Sequence, residues 1–264
     1  MFPLCLSSTP SFLIYLPPQN YFQTRTLTPS PLSCSLPRNQ SLNYTRTLTY
    51  SPIHSFSSES SASPPLLIED ITERDWSFLD VDAVNSEDER RRKIHRNISA
   101  AAIREGSRVL VCMGSEWFVD QLVESVPSCE LLLIIHESLF ALAMIKEKYD
   151  NVRCWQGDIT ALPERFSRFD AVFVCYFPGM GVPLDQLLSS VGSRCSPGCR
   201  LLICFDQGRD VIEGSHRRLY PDRVTSELPE KSALEKAAAG HSFQILEFVD
   251  EPTFYLAVLT FTAQ

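Results

Sequence analysis

The chain has 264 residues and a formal net charge of −8. That length allows one large domain or two small ones, and the acidity argues against a general nucleic-acid binder, which needs a basic surface to neutralise phosphates. The longest apolar run, LLLII at 131–135, is far short of the ~18 residues that span a bilayer, so no membrane span is expected.

Charge is unevenly spread. Residues 1–58 contain Arg25, Arg38 and Arg46 but no lysine and no acid. This stretch is rich in Ser, Thr and Pro, and its few apolar residues have no helical or strand period. Such composition predicts disorder, and the acid-poor, hydroxyl-rich pattern is that of a transit peptide. A secretory signal would place basic residues before its apolar stretch, whereas the first base here is Arg25 and FLIYL at 12–16 runs into Pro17 and Pro18. Abundant hydroxyls and prolines without an Arg-rich amphipathic helix favour the chloroplast over the mitochondrion. We therefore expect residues 1–63 to be a disordered chloroplast transit peptide.

Residues 64–85 read as a linker. They are acidic, with one apolar docking patch at Trp76, Phe78 and Leu79. Ser86 and Glu89 form an S-x-x-E capping box, which opens a helix expected over 87–105 and stopped by Gly106. Acids lead and bases follow in this helix, as its dipole favours. The RRRK run at 90–93 reads as a solvated helix face.

Strands and helices then alternate: strand 108–113, helix 115–126, strand 130–136, helix 138–149, strand 151–157, strand 171–177, helix 183–194, strand 200–207 and helix 231–240. ELLLIIH at 130–136 lacks polar alternation, so it is expected to be buried on both faces, as in a parallel sheet. The last two strands, 243–250 and 253–262, are too close for a crossover helix and must pair antiparallel. Alternation of this kind means a parallel sheet with helices on both faces.

Nine cysteines do not make a framework. Cys112, Cys154, Cys175 and Cys204 sit in apolar runs, as small buried hydrophobes do. Only Cys195 and Cys199 lie close together, in RCSPGCR. No CxxC and no His pair offers a zinc site, so no metal is expected.

Over about residues 100–264, the element order resembles the class I S-adenosylmethionine-dependent methyltransferases. The resemblance implies a Rossmann-like three-layer α/β sandwich. Its seven-stranded, mostly parallel sheet would have the order 3-2-1-4-5-7-6, with the last strand antiparallel. It also implies S-adenosylmethionine as cofactor. The family approaches the methionine portion with a glycine-rich turn after the first strand, where the lack of a side chain admits close contact. The match here is VLVCMGSEW, with Gly114 and Ser115, and it keeps a single glycine. The family grips the ribose hydroxyls with an acid after the second strand, because a carboxylate accepts two hydrogen bonds. The match in IIHES is Glu137, one residue later than usual, with His136 in the expected place. A helix first-turn acid would look the same.

QGDITALPERFSRFDAVFVCYF resembles the family's GD-x-x-x-LP…FD-x-V segment. It implies that Asp158 accepts from the adenine amino group and that Ile159 lies against the ring. CYFPGMGVP departs from the Asn/Asp-Pro-Pro-Tyr of members that methylate exocyclic or amide nitrogen. Gly179 and Gly181 make a flexible loop at the ligand-binding edge of the sheet. Tyr176, Asp206 and His216 lie either near a methyl acceptor or in the structural core. No catalytic residue is assigned.

The functional expectation is a methyltransferase acting on a small molecule or protein in the plastid. The alternative is a degenerate methyltransferase fold that serves as a non-catalytic scaffold or binding module, since one glycine and a displaced acid are what loss of cofactor binding leaves. A nicotinamide-dependent reductase is disfavoured. The chain lacks G-x-G-x-x-G, and Tyr149, Tyr176 and Tyr220 are followed at the Tyr-x-x-x-Lys spacing by Arg153, Met180 and Val224.

Overall fold

The computed structural model describes residues 73–81 and 86–262. The expected transit peptide and the rest of the linker lie outside the described residues. After a helical turn α1 (Phe78–Val81) comes α2 (Glu87–Ala100). The elements β1 (Arg108–Cys112), α3 (Glu116–Ser125), β2 (Leu131–His136), α4 (Leu139–Lys148), β3 (Arg153–Gln156), β4 (Phe169–Val174), α5 (Leu184–Gly192) and β5 (Cys195–Phe205) follow. A helical run then comprises α6 (Gly208–Val211), a π turn (Ile212–His216) and α7 (Arg217–Leu219). Helix α8 (Lys231–Gly240) and the hairpin of β6 (Phe243–Glu251) and β7 (Phe254–Phe261) close the chain.

The strands form a seven-stranded sheet in the order β3-β2-β1-β4-β5-β7-β6. Strands β1 to β5 run parallel, and β7 pairs antiparallel with both β5 and β6. This is the expected order. Strand β2 is buried at every residue, as its unbroken apolar run requires. Strand β7 lies inside the sheet, with Leu256, Ala257 and Leu259 fully buried.

Each face of the sheet carries its own core. On one face, Ile94 and Ile98 of α2, Phe118 and Leu122 of α3, and Ile145 of α4 pack on Val109, Val111 and Ile134. On the other, Leu187 and Leu188 of α5 and Leu234 of α8 meet Leu110, Leu133 and Leu201. Side-chain caps set three helix starts: Ser86, Ser115 and Ser138 each accept from the backbone N–H three residues on, which satisfies a donor the helix leaves unpaired.

Some boundaries differ from expectation. Helix α2 ends at Ala100, where Arg200 Nη1 donates to the terminal carbonyl at 2.7 Å. A cation at that end also complements the helix dipole. Ala102 takes the left-handed turn (φ 50°), and Gly106 serves a later one. Strand β5 begins at Cys195 and carries the whole SPG segment. The Cys195 and Cys199 sulfurs lie 3.0 Å apart, and both are free thiols.

The RRRK run is not uniformly solvated. Arg90 is 6% exposed. Its Nε donates to Asp206 at 2.5 Å, and its terminal nitrogens donate to the carbonyls of Leu79 (2.8 Å) and Asp80 (3.1 Å). One cationic side chain thus joins α2, the end of β5 and the segment 73–81.

Candidate functional site

The parallel strands end together at one edge of the sheet, and the strand order reverses between β1 and β4. Open α/β sheets bind ligands at such a switch point. Two spaces lie along this edge.

The larger has a volume of about 300 Å3, at the small end of ligand pockets. Cys112 and Met113 of β1's end line it, with Ile135 and Glu137 after β2, Gly157 and Asp158 after β3, and the 179–182 loop after β4. Glu137 and Asp158, singled out separately in the sequence, thus come to one cavity.

Asp158 is fixed locally. Its Oδ1 accepts from the N–H groups of Thr160 (2.6 Å) and Ala161 (3.2 Å) and from the Thr160 hydroxyl. The carboxylate therefore caps the 3-10 turn Ile159–Ala161, and the acceptor capacity of Oδ2 remains for a ligand. Glu137 pairs with Arg74 at 2.9 Å, and both side chains are nearly half exposed. An exposed pair of this kind is worth about 0–1 kcal/mol, so a ligand displaces it at little cost. Cys112 also faces this space. Burial, with a smaller contribution from Asp158, pushes its thiol up to about 12, so it stays neutral and is no nucleophile.

The remaining sequence candidates lie elsewhere. Ile159 is fully buried in the core. Ser115 caps α3 by accepting from Phe118 N at 3.2 Å. A side chain at Gly114 would meet Val111 Cγ1 at 2.7 Å, so this glycine serves packing against its own strand. The left-handed residue in the turn is Met113 (φ 54°).

The second space, at the ends of β1, β4 and β5, is only about 20 Å3, room for about one water. Residues 73–81 fill it. Trp76, Phe78 and Leu79 are all buried, so the docking patch of the linker is a real one. The Trp76 ring lies so close to Gly179 that a Cβ there would meet it at 2.8 Å. Gly179 therefore provides close approach, and the turn falls at Gly181 (φ 67°). Phe78 stacks on Tyr220 with ring centroids 4.1 Å apart. Beneath this patch the Tyr176 hydroxyl and His216 Nδ1 are hydrogen-bonded at 3.0 Å. Tyr176, Asp206 and His216 are thus buried under the segment.

The segment is pinned at both ends by acids on helix N-termini. Asp80 accepts from Glu116 N (3.3 Å) and Trp117 N (3.2 Å), in the first turn of α3. Glu73 accepts from the Ser138 hydroxyl and Phe140 N, each at 2.6 Å, in the first turn of α4. Sequence reading missed both acids and Arg74. The available signal was their placement on either side of the only aromatic patch in an otherwise polar linker. Beside Glu73, burial pulls His136 down to about 4, with Glu73 opposing. Its Nδ1 accepts from Ser138 N at 2.9 Å, as a neutral imidazole does.

Among the described residues, no helix is long and apolar enough to cross a membrane, and no cluster of three His, Cys, Asp or Glu is arranged to hold a metal.

No protein-family model matches the chain, and no curated protein matches it. Solved structures do. A chain of the complex between the Haloferax volcanii Trm112 methyltransferase activator and its candidate methyltransferase aligns with TM-score 0.56 and 12% identity, over 67% of this chain and 92% of that one. An S-adenosylmethionine-dependent methyltransferase from Mesorhizobium loti gives 0.52 and 13%, over 63% and 96%. The N-methyltransferase NodS from Bradyrhizobium japonicum gives 0.51 and 14%, over 67% and 99%. With the strand order above, these likenesses establish the Rossmann-like fold of the class I S-adenosylmethionine-dependent methyltransferases.

Proposed function

We propose that the chain binds S-adenosylmethionine and methylates a small molecule or protein in the plastid. The observation that carries this reading is the meeting of Glu137 and Asp158, from neighbouring strands, in one cavity at the carboxyl edge of a methyltransferase fold. Glu137 would accept from both ribose hydroxyls, exchanging Arg74 for them, and Asp158 Oδ2 would accept from the adenine amino group. The cofactor, when bound, supplies an electrophilic methyl group. The protein's share is to hold it in line with the acceptor and exclude water.

Calorimetry on the full chain, with S-adenosylmethionine or its demethylated product, tests the reading. Affinity is expected in the micromolar range, on the order of −7 to −8 kcal/mol. Asp158→Ala should remove about 1–3 kcal/mol, as loss of a hydrogen bond to a charged acceptor does. Absence of heat at millimolar ligand refutes it. For the plastid, residues 1–65 fused to a fluorescent reporter should carry it into the organelle; a cytosolic or secreted reporter refutes that part.

A second reading, a non-catalytic scaffold or binding module, draws on a different observation. The space beside α3's N-terminus, where the reactive end and the acceptor would meet, is filled by Leu79 and its neighbours. Cofactor binding without methyl transfer to any acceptor favours it.

A further inference from the structure

The segment 73–81 divides the ligand edge of the sheet into an open half and a filled half. The open half, about 300 Å3, contains Glu137 and Asp158. The filled half retains about 20 Å3. The two helix N-termini at this edge, α3 after β1 and α4 after β2, are the positions whose free N–H groups and dipoles attract a carboxylate or phosphate. Both hold carboxylates already, Asp80 on α3 and Glu73 on α4, and both acids come from this one segment. Arg90 locks it further through the carbonyls of Leu79 and Asp80.

We infer that residues 73–81 are an internal competitor for the amino-acid end of an adenosine cofactor. Closed, the site takes a nucleoside without an anionic tail, and the complete cofactor gains its tail contacts only when the segment lifts. This rests on the cofactor-binding reading above. The physical reason is direct. A ligand carboxylate arriving at α3 finds its N–H donors satisfied, a like charge in Asp80 beside it, and its volume taken by Leu79 and Trp76. Tail affinity is therefore reduced by the fraction of molecules in which the segment is open. A nucleoside pays no such reduction.

Equilibrium dialysis on the full chain with adenosine and with S-adenosylhomocysteine reads this out. The proteins compared are the wild type and Glu73→Ala/Asp80→Ala. Ser115 and Ser138 still cap both helices in the variant, so its fold is kept. Should it nevertheless melt non-cooperatively, Asp80→Asn replaces it, as a substitution that removes only the charge.

The wild type should bind the two ligands within about threefold of each other, and the variant should bind S-adenosylhomocysteine about tenfold more tightly while adenosine affinity stays within about threefold. Amide exchange across 73–81 should quicken on adding S-adenosylhomocysteine and not on adding adenosine. A wild type that already prefers the tailed ligand by about tenfold or more, with the segment still protected, overturns the inference. So does a variant with no gain. In both cases adenosine binding survives and the cofactor reading stands. If neither ligand binds either protein, both fall.

Discussion

Arg90→Met isolates the junction on which the fold and its covering segment both depend. The side chains of Arg90 and Asp206 are 7% and 12% exposed. Deleting the guanidinium strands a carboxylate in low dielectric, and breaking a buried pair from one side costs about 3–5 kcal/mol. Asp206 responds to pH in a known direction. Burial already raises its pKa, and Arg90 is the main force opposing that rise. Without Arg90 the folded-state pKa climbs further above the unfolded one. A group so shifted stabilises the folded state at low pH and loses that contribution as pH rises. The deficit of Arg90→Met should therefore be larger at pH 7 than at pH 5.

The double variant Arg90→Met/Asp206→Leu removes the stranded charge as well. It should recover all but about 1–2 kcal/mol, the residue being the lost hydrogen bonds to Leu79 and Asp80 carbonyls. Urea unfolding of the wild type, both single variants and the double variant at the two pH values gives the cycle. A single-variant loss under about 1 kcal/mol, or a double variant no better than Arg90→Met, would show that the pair is not the junction described.

His136, pulled by burial down to about 4 from 6.5, refuses a proton that the unfolded chain accepts. Its stabilisation is complete above pH 6.5 and is lost as pH falls toward 4, amounting to about 3 kcal/mol; an imidazole NMR titration with its midpoint near 6.5 would refute this. Gly208 sits at φ 74°, and a Cβ there would meet Phe254 N at 2.4 Å and Pro252 O at 2.5 Å. Both obstacles are backbone, so Gly208→Ala should cost more than about 2 kcal/mol by urea unfolding, from overpacking and a left-handed backbone together; a neutral effect would mean the β6–β7 turn yields.

The sheet was legible because its signals are local. LLLIIH has no polar face, so β2 had to lie in the middle of a covered sheet. Ser86, Ser115 and Ser138 each stand where a helix needs a cap. Two strands with two residues between them admit only a hairpin. The site was legible only where its residues follow strand ends, as Glu137 and Asp158 do. What escaped depends on partners distant in sequence. Arg90 looks like its solvated neighbours Arg91 and Arg92 until Asp206, 116 residues away, draws it inward. Glu73 and Asp80 look like linker acids until folding brings two helix N-termini to them. Ile159 belongs to a motif that points to a ligand, yet it packs in the core, because a 3-10 turn capped by Asp158 turns its side chain beneath the cavity instead of into it.

Gly114 separates sequence resemblance from physical role most sharply. In the methyltransferase pattern a glycine after the first strand makes room for the cofactor. Here the room it makes is for Val111, whose Cγ1 would lie 2.7 Å from an added Cβ. Its backbone needs no glycine either, since the left-handed conformation falls one residue earlier, on Met113. Gly114→Ala should therefore act on stability, costing about 1–3 kcal/mol as other overpacked substitutions do. Adenosine affinity should stay within about threefold, because the two groups meeting in the cavity, Glu137 and Asp158, are held by β2 and by the Asp158 cap. Unfolding and dialysis on the same preparation distinguish the roles. An unchanged melting curve with adenosine binding lost would show that the glycine faces the ligand after all, and that the turn after β1 rearranges when the site fills.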